Sequence, residues 1–281
     1  MNERAVTTTS GRKPTFSMMI STEGYQRMIS SALKDEQRRN RFIASITSAV
    51  AVNPALQECT PQTILSGALL GESLNLSPSP QLGQYYLVPF KNNRQGVTEA
   101  QFCLGYKGYI QLALRSGYYK KLNVLSIKEG ELVRFDPLNE EIEVKMIEDE
   151  REREAAKTAG YYAFFEYMNG FRKALYWSRD KMEAHALRFS KGYAAKKGYT
   201  FWEKDFDAMA YKTMLRQLIS KWGVMSTEMQ DAVAQDMRAD MADMADEQTP
   251  LVEPVPVITE SAQTAQLPAA DNPATVSLDD L

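Results

Sequence analysis

Histidine and cysteine, the side chains on which most zinc sites and many hydrolases depend, are nearly missing from this sequence. Its 281 residues contain one histidine, His185, and two cysteines, Cys59 and Cys103. This inventory disfavours a zinc site and a histidine-dependent catalytic triad. Two cysteines far apart in sequence also indicate a reducing compartment. We therefore expect no metal centre and no catalytic residues of these classes.

Several longer signatures are missing as well. No run of about 18 apolar residues occurs, and no signal-peptide core is present at the N-terminus, which favours a cytoplasmic protein. The phosphate loop G-x-x-x-x-G-K-[ST] is absent, which disfavours an ATP-driven recombinase, and so is the zinc-deaminase signature. The nearest candidates for a magnesium site are Asp205 and Asp207 beside Lys204. Two carboxylates within one helical turn are better interpreted as complementing the helix dipole.

Charge is unevenly placed along the chain. The net charge of −3 hides a basic body, residues 1–222, with 32 basic and 24 acidic side chains. Residues 223–281 carry twelve acidic side chains and one basic one, Arg238, and residues 122–169 carry a net charge of −6. A basic body with an acidic tail is typical of a polyanion binder, although some acidic tails serve solubility alone.

The apolar periodicity predicts an α+β domain over residues 16–222, a small antiparallel sheet of hairpins surrounded by helices. Residues 1–15 and 248–281 have the composition of disordered chain, and 223–247 predict an acidic amphipathic helix with a methionine stripe. Helices are predicted at 16–33 with a break at Ser21-Thr22, at Phe42–Val52, Gln62–Leu74, Arg179–Phe189 and Glu203–Trp222. A further short helix is predicted to open at Gly105-Tyr106-Lys107-Gly108 and to close at Arg115-Ser116-Gly117. Hairpins are predicted from Tyr85–Phe90 with Ala100–Leu104 and from Tyr161–Tyr167 with Phe171–Trp177, and further strands at Leu122–Ile127, Leu132–Phe135 and Ile142–Ile147.

The most informative stretch runs from Gly83 to Lys121. It holds six basic side chains and one acidic one, Glu99, with six tyrosines between them. Cations beside flat amphipathic rings suit a nucleic-acid strand, because the cations bind the backbone and the rings stack on bases. The sequence Gly-Tyr-Lys-Gly at 105–108 opens a helix, where glycines let backbone N–H groups approach a phosphate. Half-buried sheet tyrosines and solvated lysines are the alternative interpretation.

The order and spacing of several motifs resemble the RecT family of phage single-strand annealing proteins, which are functionally related to Redβ. The resemblance covers about Phe42 to about Trp222, and the tail beyond it is not covered. The motifs are Leu74-Asn75-Leu76-Ser77-Pro78, Gly83-Gln84-Tyr85-Tyr86-Leu87-Val88-Pro89-Phe90, Leu104-Gly105-Tyr106-Lys107-Gly108-Tyr109, Arg115-Ser116-Gly117, and Trp202-Glu203 followed by the basic helix Ala210–Lys221.

The resemblance implies ATP-independent annealing of complementary single-stranded DNA in phage recombination, by a protein that is not an enzyme and assembles into a ring or helical filament. It implies no required cofactor, with Mg²⁺ as a modulator of DNA binding. The implied partners are single-stranded DNA, the annealed duplex, further copies of the chain, a companion 5′→3′ exonuclease and the host single-strand-binding protein. The implied location is the cytoplasm of a bacterial host. A Mg²⁺-dependent DNA nuclease and a structural self-assembling phage protein remain the alternatives.

A DNA-binding groove is the hypothesis for the basic and aromatic side chains. Lys107 in its glycine turn would hold phosphate, three cations after it would extend that track, and two cations on one helix face would line the other wall. Tyr106, Tyr109 and Trp202 would stack on bases or support the groove, with core packing favoured for at least one of them. The hairpin tip would reach a strand or a neighbouring subunit. The candidate residues are Lys91, Arg94, Tyr106, Lys107, Gly108, Tyr109, Arg115, Lys120, Lys121, Lys191, Lys197, Trp202, Lys212 and Arg216.

Overall fold

The computed structural model describes residues 14–93, 95–198 and 200–244, without the side chains of Glu228 and residues 239–244. Helices account for most of this part of the chain. They are α1 Phe16–Ile20, α2 Glu23–Ala32, α3 Glu36–Val52, α4 Pro61–Ser73, α5 Tyr106–Arg115, α6 Glu150–Ala155, α7 Arg179–Phe189, α8 Lys191–Ala194, α9 Phe201–Lys204, α10 Phe206–Trp222 and α11 Thr227–Met244, with a 3₁₀ turn at Pro54–Glu58.

The strands form small antiparallel sheets, so the predicted α+β class is confirmed. One sheet pairs β1 with β2, the second has the order β3-β6-β7, and the third pairs β4 with β5. The strands are β1 Tyr85–Asn92, β2 Val97–Leu104, β3 Tyr119–Lys128, β4 Leu132–Asp136, β5 Glu141–Val144, β6 Thr158–Tyr167 and β7 Arg172–Ser178.

Both predicted hairpins are present, with β1, β2 and β6 longer than expected and β7 shifted by one residue. In the first hairpin Tyr85 lies opposite Leu104, and in the second Tyr161 lies opposite Trp177. The second turn places Gly170 at a φ of +86°, a backbone conformation that glycine adopts without strain. Two apolar runs around a polar loop in the first case, and alternating strands around Asn169-Gly170 in the second, were therefore sufficient to locate these strands.

The predicted single helix Glu203–Trp222 is divided in two, which corrects the expectation. Asp205 has non-helical backbone angles and its carboxylate accepts a hydrogen bond of 3.0 Å from the amide of Ala208, so it caps the start of α10. The preceding turn, α9, begins with a capping box in which Thr200 and Glu203 bond each other's backbone. Asp205 and Asp207 therefore complement the start of α10, as the spacing predicted.

Helix α10 provides the centre of the core. Its buried face, formed by Ala210, Met214, Leu215, Leu218 and Ile219, is fully removed from solvent. It packs against α5 and the three-stranded sheet, and α4 packs against the β1–β2 hairpin. These contacts place the start of α5, the base of the hairpin and α9 around the N-terminal half of α10.

Helix α11 covers part of this body through its N-terminal half. Met229, Ala232 and Val233 are buried against the body, whereas Met237 is exposed. The methionine stripe is thus a packing face at its beginning. The helix contacts β2 and α10, among other elements, so it lies over the end of the hairpin.

A buried carboxylate, that of Glu131, links the end of β3, the segment after β5 and helix α6. Glu131 has no exposed surface and accepts hydrogen bonds from the Arg153 guanidinium at 2.6 Å, from the Lys128 amide at 2.8 Å and from the Ile147 amide at 3.2 Å. Burial raises the pKa of Glu131, but these donors together outweigh burial and hold the pKa below its usual range. The carboxylate is therefore charged at neutral pH and stabilises the fold in that form.

Replacing Glu131 with Gln should lower the free energy of unfolding by about 2 kcal/mol near neutral pH, because Arg153 then lacks its carboxylate. A depressed folded-state pKa contributes stability above the unfolded-state value, and that contribution is lost as pH falls through the folded-state value. The difference between variant and wild type should therefore shrink below about pH 4.5. Thermal denaturation at several pH values measures it, with the exposed Glu129→Gln as control. A pH-independent difference would contradict the assignment.

Candidate nucleic-acid interface

Lys107 projects from the first turn of α5. The helix begins after Gly105, which has no side chain to cap it, and its first turn contains no acidic residue. The Lys107 side chain is exposed, passes close to Gly83, and its ammonium lies 6.0 Å from the centre of the Tyr106 ring. A free cation and the positive end of a helix dipole thus occupy one surface region.

Two aromatic rings continue this region toward α9. The Tyr86 ring lies 5.6 Å from the Phe201 ring, and its hydroxyl lies near Gly83, beside which Lys107 also passes. Phe201 is 45% exposed although it is a large apolar ring. Rings that are held in place and partly open to solvent are suited to stacking on unpaired bases.

The basic segment between α7 and α9, which includes α8, is bound to α9. The Glu203 carboxylate accepts from the amides of Gly198 at 2.8 Å and Thr200 at 3.0 Å, and the Thr200 methyl packs on Gly192. These bonds hold Lys197 next to Gly192 and put the loop directly before Phe201. We call the surface formed by Tyr86, Tyr106, Lys107, Lys197 and Phe201 the basic–aromatic face. Lys191, the first residue of α8, is partly buried.

The pKa of the Tyr86 phenol reflects the burial and the charges that lie behind this face. Burial raises the pKa of Tyr86, and the neighbouring Tyr106 and Asp205 raise it further, while the positive charge of Lys212 opposes the rise. The phenol therefore stays protonated at neutral pH and is available as a hydrogen-bond donor. Lys212 lies within electrostatic reach of the face although its side chain is buried.

Lys212 and Arg216 were predicted to line one wall of an open groove, but both side chains are buried. They are 7% and 5% exposed, and both donate to the carboxylate of Asp236 on α11. Tyr109, a predicted stacking ring, is fully buried, and its hydroxyl bonds the same carboxylate. The expectation is corrected because α11 supplies an acidic partner that covers this face of α10.

The glycines around Lys107 serve packing, which corrects the predicted phosphate cradle. A Cβ on Gly105 or Gly108 would overlap the backbone carbonyl of Gly83 or of Gln84. The Gly105 amide donates to the Gln84 carbonyl at 2.9 Å. The absence of side chains at 105 and 108 therefore lets α5 begin directly against the start of β1.

Other predicted site residues lie apart from the face or beneath it. Arg115 donates to the carbonyls of Leu74 and Asn75 and so closes the end of α4. Lys120 and Lys121 are exposed on β3 and share Glu166, whose pKa is lowered first by its hydrogen bond from Lys120.

Three further candidates complete the set. Trp202 is 7% exposed and packs on Phe206, so it supports the face from below. Lys91 is exposed at the end of β1. Arg94 lies outside the described residues.

Three residues of this region were missing from the candidate set. Phe201 and Tyr86 carry no charge, and their exposure depends on how α9 meets the hairpin. Asp236 could have been noticed, because it is three residues after Val233 and seven after Met229. A charged residue on the apolar stripe of a helix is the sequence signal of a buried ionic contact.

Within residues 14–93, 95–198 and 200–244, no three His, Cys, Asp or Glu side chains are grouped so that they could hold a metal ion. Among the helices in these ranges, none combines the length and apolarity that crossing a bilayer requires.

Comparison with known proteins gives a family and relatives. A family model described as the RecT family matches residues 40–251. The uncharacterized protein YqaK of Bacillus subtilis (strain 168) is 43% identical over 200 residues, 71% of this chain and 65% of the relative. The protein RecT of Escherichia coli (strain K12) is 30% identical over 219 residues, 77% of this chain and 78% of the relative. The match thus spans slightly less than two thirds of YqaK.

Proposed function

The chain belongs to the RecT family, and from this premise we propose that it binds single-stranded DNA and anneals complementary strands in phage recombination. The observation that carries the proposal is the family match over residues 40–251. The basic–aromatic face supports it, because cations beside rings that are at least partly open to solvent have the chemistry of a single-strand site.

The proposed mechanism needs no ATP and no covalent step. Lys107, Lys191 and Lys197 would neutralise phosphates, which lowers the repulsion between two strands that approach each other. Tyr86 and Phe201 would hold the strand extended by stacking while base edges stay available to the second strand. Base pairing then supplies the free energy of annealing and also the sequence specificity.

We propose assembly of several copies into a ring or filament. The exposed apolar side chains of Tyr118, Met168 and Phe171 support this, because contiguous apolar surface is often covered by a partner. The Met168 amide donates to the Tyr118 carbonyl at 3.0 Å, so two of these residues are neighbours. A companion 5′→3′ exonuclease, the host single-strand-binding protein, Mg²⁺ as a modulator and a cytoplasmic location complete the proposal.

Pairing of two complementary oligonucleotides, one fluorescent and one quenching, tests the proposal in the absence of nucleotide. Wild type should accelerate pairing. Lys145→Ala should match it, because Lys145 is exposed in the acidic segment 122–169, which we call the acidic lobe. Binding without acceleration would make the chain a passive binder. Cleavage of the strands with Mg²⁺ would favour a nuclease, and indifference to single strands would favour a structural protein.

Lys107→Ala should weaken binding of oligo(dT) about 3- to 10-fold at roughly 0.1 M salt, because one phosphate contact is lost. The slope of log K against log salt should become shallower by about 0.7, the value for one contact to a single strand. A salt titration by fluorescence anisotropy measures both quantities. An unchanged slope would remove Lys107 from the interface, whereas a lowered melting temperature would indicate a folding effect instead.

A further inference from the structure

The carboxylate of Asp236 occupies a socket made by three other elements. Lys212 Nζ donates to it at 2.7 Å and Arg216 Nη1 at 3.3 Å, both from α10. The Leu104 amide at the end of β2 donates at 3.0 Å, and the Tyr109 hydroxyl on α5 at 3.2 Å. The Asp236 side chain is fully buried within this socket.

The four donors have the chemistry of a phosphate site. Two cations, a backbone amide and a hydroxyl converge on two oxygens of one anion, which is how proteins hold phosphate oxygens. These four donors belong to α10, β2 and α5, elements that form the core. The site would therefore keep its donors in place if the carboxylate left.

The socket adjoins the basic–aromatic face. Leu104 immediately precedes the glycine turn that carries Lys107, and Tyr109 lies on the same helix as Lys107. Lys212 is near enough to Tyr86 to influence that phenol. A strand bound to the face thus passes close to the socket.

The element that fills the socket is open to solvent along one face. Helix α11 buries Met229, Ala232, Val233 and Asp236, while Asp231, Ala234, Gln235, Met237 and Arg238 are exposed. The Asp236 carboxylate carries the same sign of charge as a DNA phosphate. It can therefore compete with a nucleic-acid strand for the same donors.

We infer that the Lys212–Arg216–Tyr109–Leu104 socket is a second phosphate site for a nucleic-acid strand, which Asp236 of α11 fills in the free protein. The inference rests on the proposed DNA binding and adds an autoinhibitory contact to it. DNA binding is then coupled to release of α11, because one socket cannot hold both anions. The observed affinity for DNA then equals the intrinsic affinity multiplied by the fraction of molecules in which α11 is undocked.

Asp236→Asn should raise affinity for oligo(dT) about fivefold and steepen the salt dependence, because the socket becomes available to phosphate. The double variant Asp236→Asn, Lys212→Ala should lose this gain. Asp231→Asn, which removes an exposed charge from the same helix, is the matched control for net charge. Equal gains from Asp231→Asn and Asp236→Asn, or no gain from Asp236→Asn, would overturn the socket proposal.

Hydrogen exchange of the unmodified protein decides the question if Asp236→Asn fails to fold. Adding oligo(dT) should speed amide exchange across residues 227–238, since α11 leaves its site. Unchanged or slower exchange there, in the presence of saturating oligo(dT), would show that α11 is a fixed part of the fold. Absence of any binding of oligo(dT) by wild type would instead overturn the proposed function itself.

Discussion

Replacing Gly108 with Ala should destabilise the protein by about 3 kcal/mol, and so lower the melting temperature by about 6–12 °C. The new Cβ would overlap the carbonyl oxygen of Gln84 and lie 2.9 Å from a methyl group of Leu104. The Gln84 carbonyl cannot retreat freely, because it also accepts the Gly105 amide at 2.9 Å. The start of α5 would have to move away from the hairpin.

The direction of this effect separates packing from helix propensity. Alanine is favoured over glycine within a helix by about 1 kcal/mol, so an unhindered site should gain stability. Gly24 in α2 is such a site, since a Cβ there meets nothing within 4 Å. Thermal denaturation of Gly24→Ala and Gly108→Ala should therefore give shifts of opposite sign. A neutral Gly108→Ala with weakened DNA binding would restore the phosphate-cradle interpretation.

The glycine turn at residues 105–108 shows which features of the site the sequence could predict and which it could not. Two glycines and a lysine at residues 105–108, followed by apolar residues at helical spacing, correctly predicted where α5 begins. The identity of the group that approaches a glycine is a property of tertiary structure, and here it is the backbone of Gln84. The same limit applies to Arg115, whose partners, the carbonyls of Leu74 and Asn75, lie 40 and 41 residues away.

Local pattern was sufficient wherever the determining residues were close in sequence. The Asn169-Gly170 turn and the strands on either side of it are the clearest case. Lys212 and Arg216 show the opposite situation, because spacing of four residues correctly put them on one helix face but could not show what covers that face. Their partner, Asp236, comes from the acidic segment beyond Trp222.

Reversing two charges on the basic–aromatic face, by Lys107→Glu with Lys197→Glu, should reduce affinity for single-stranded DNA at least about 100-fold at roughly 0.1 M salt. Each change removes an attractive contact and adds a repulsive one, and the phosphate backbone supplies most of the binding free energy. Annealing of dilute oligonucleotides should fall to the spontaneous rate. Anisotropy and the quenching assay measure the two effects.

The control for this pair is Lys145→Glu with Lys157→Glu, which makes the same change in net charge on exposed lysines of the acidic lobe. Long-range repulsion between exposed charges is screened beyond about 10 Å at this salt concentration. If net charge alone governed binding, both pairs would weaken it equally. If the face is the contact surface, only the Lys107 and Lys197 pair should reach the large loss, and the two melting temperatures should stay alike because both pairs are solvent-exposed.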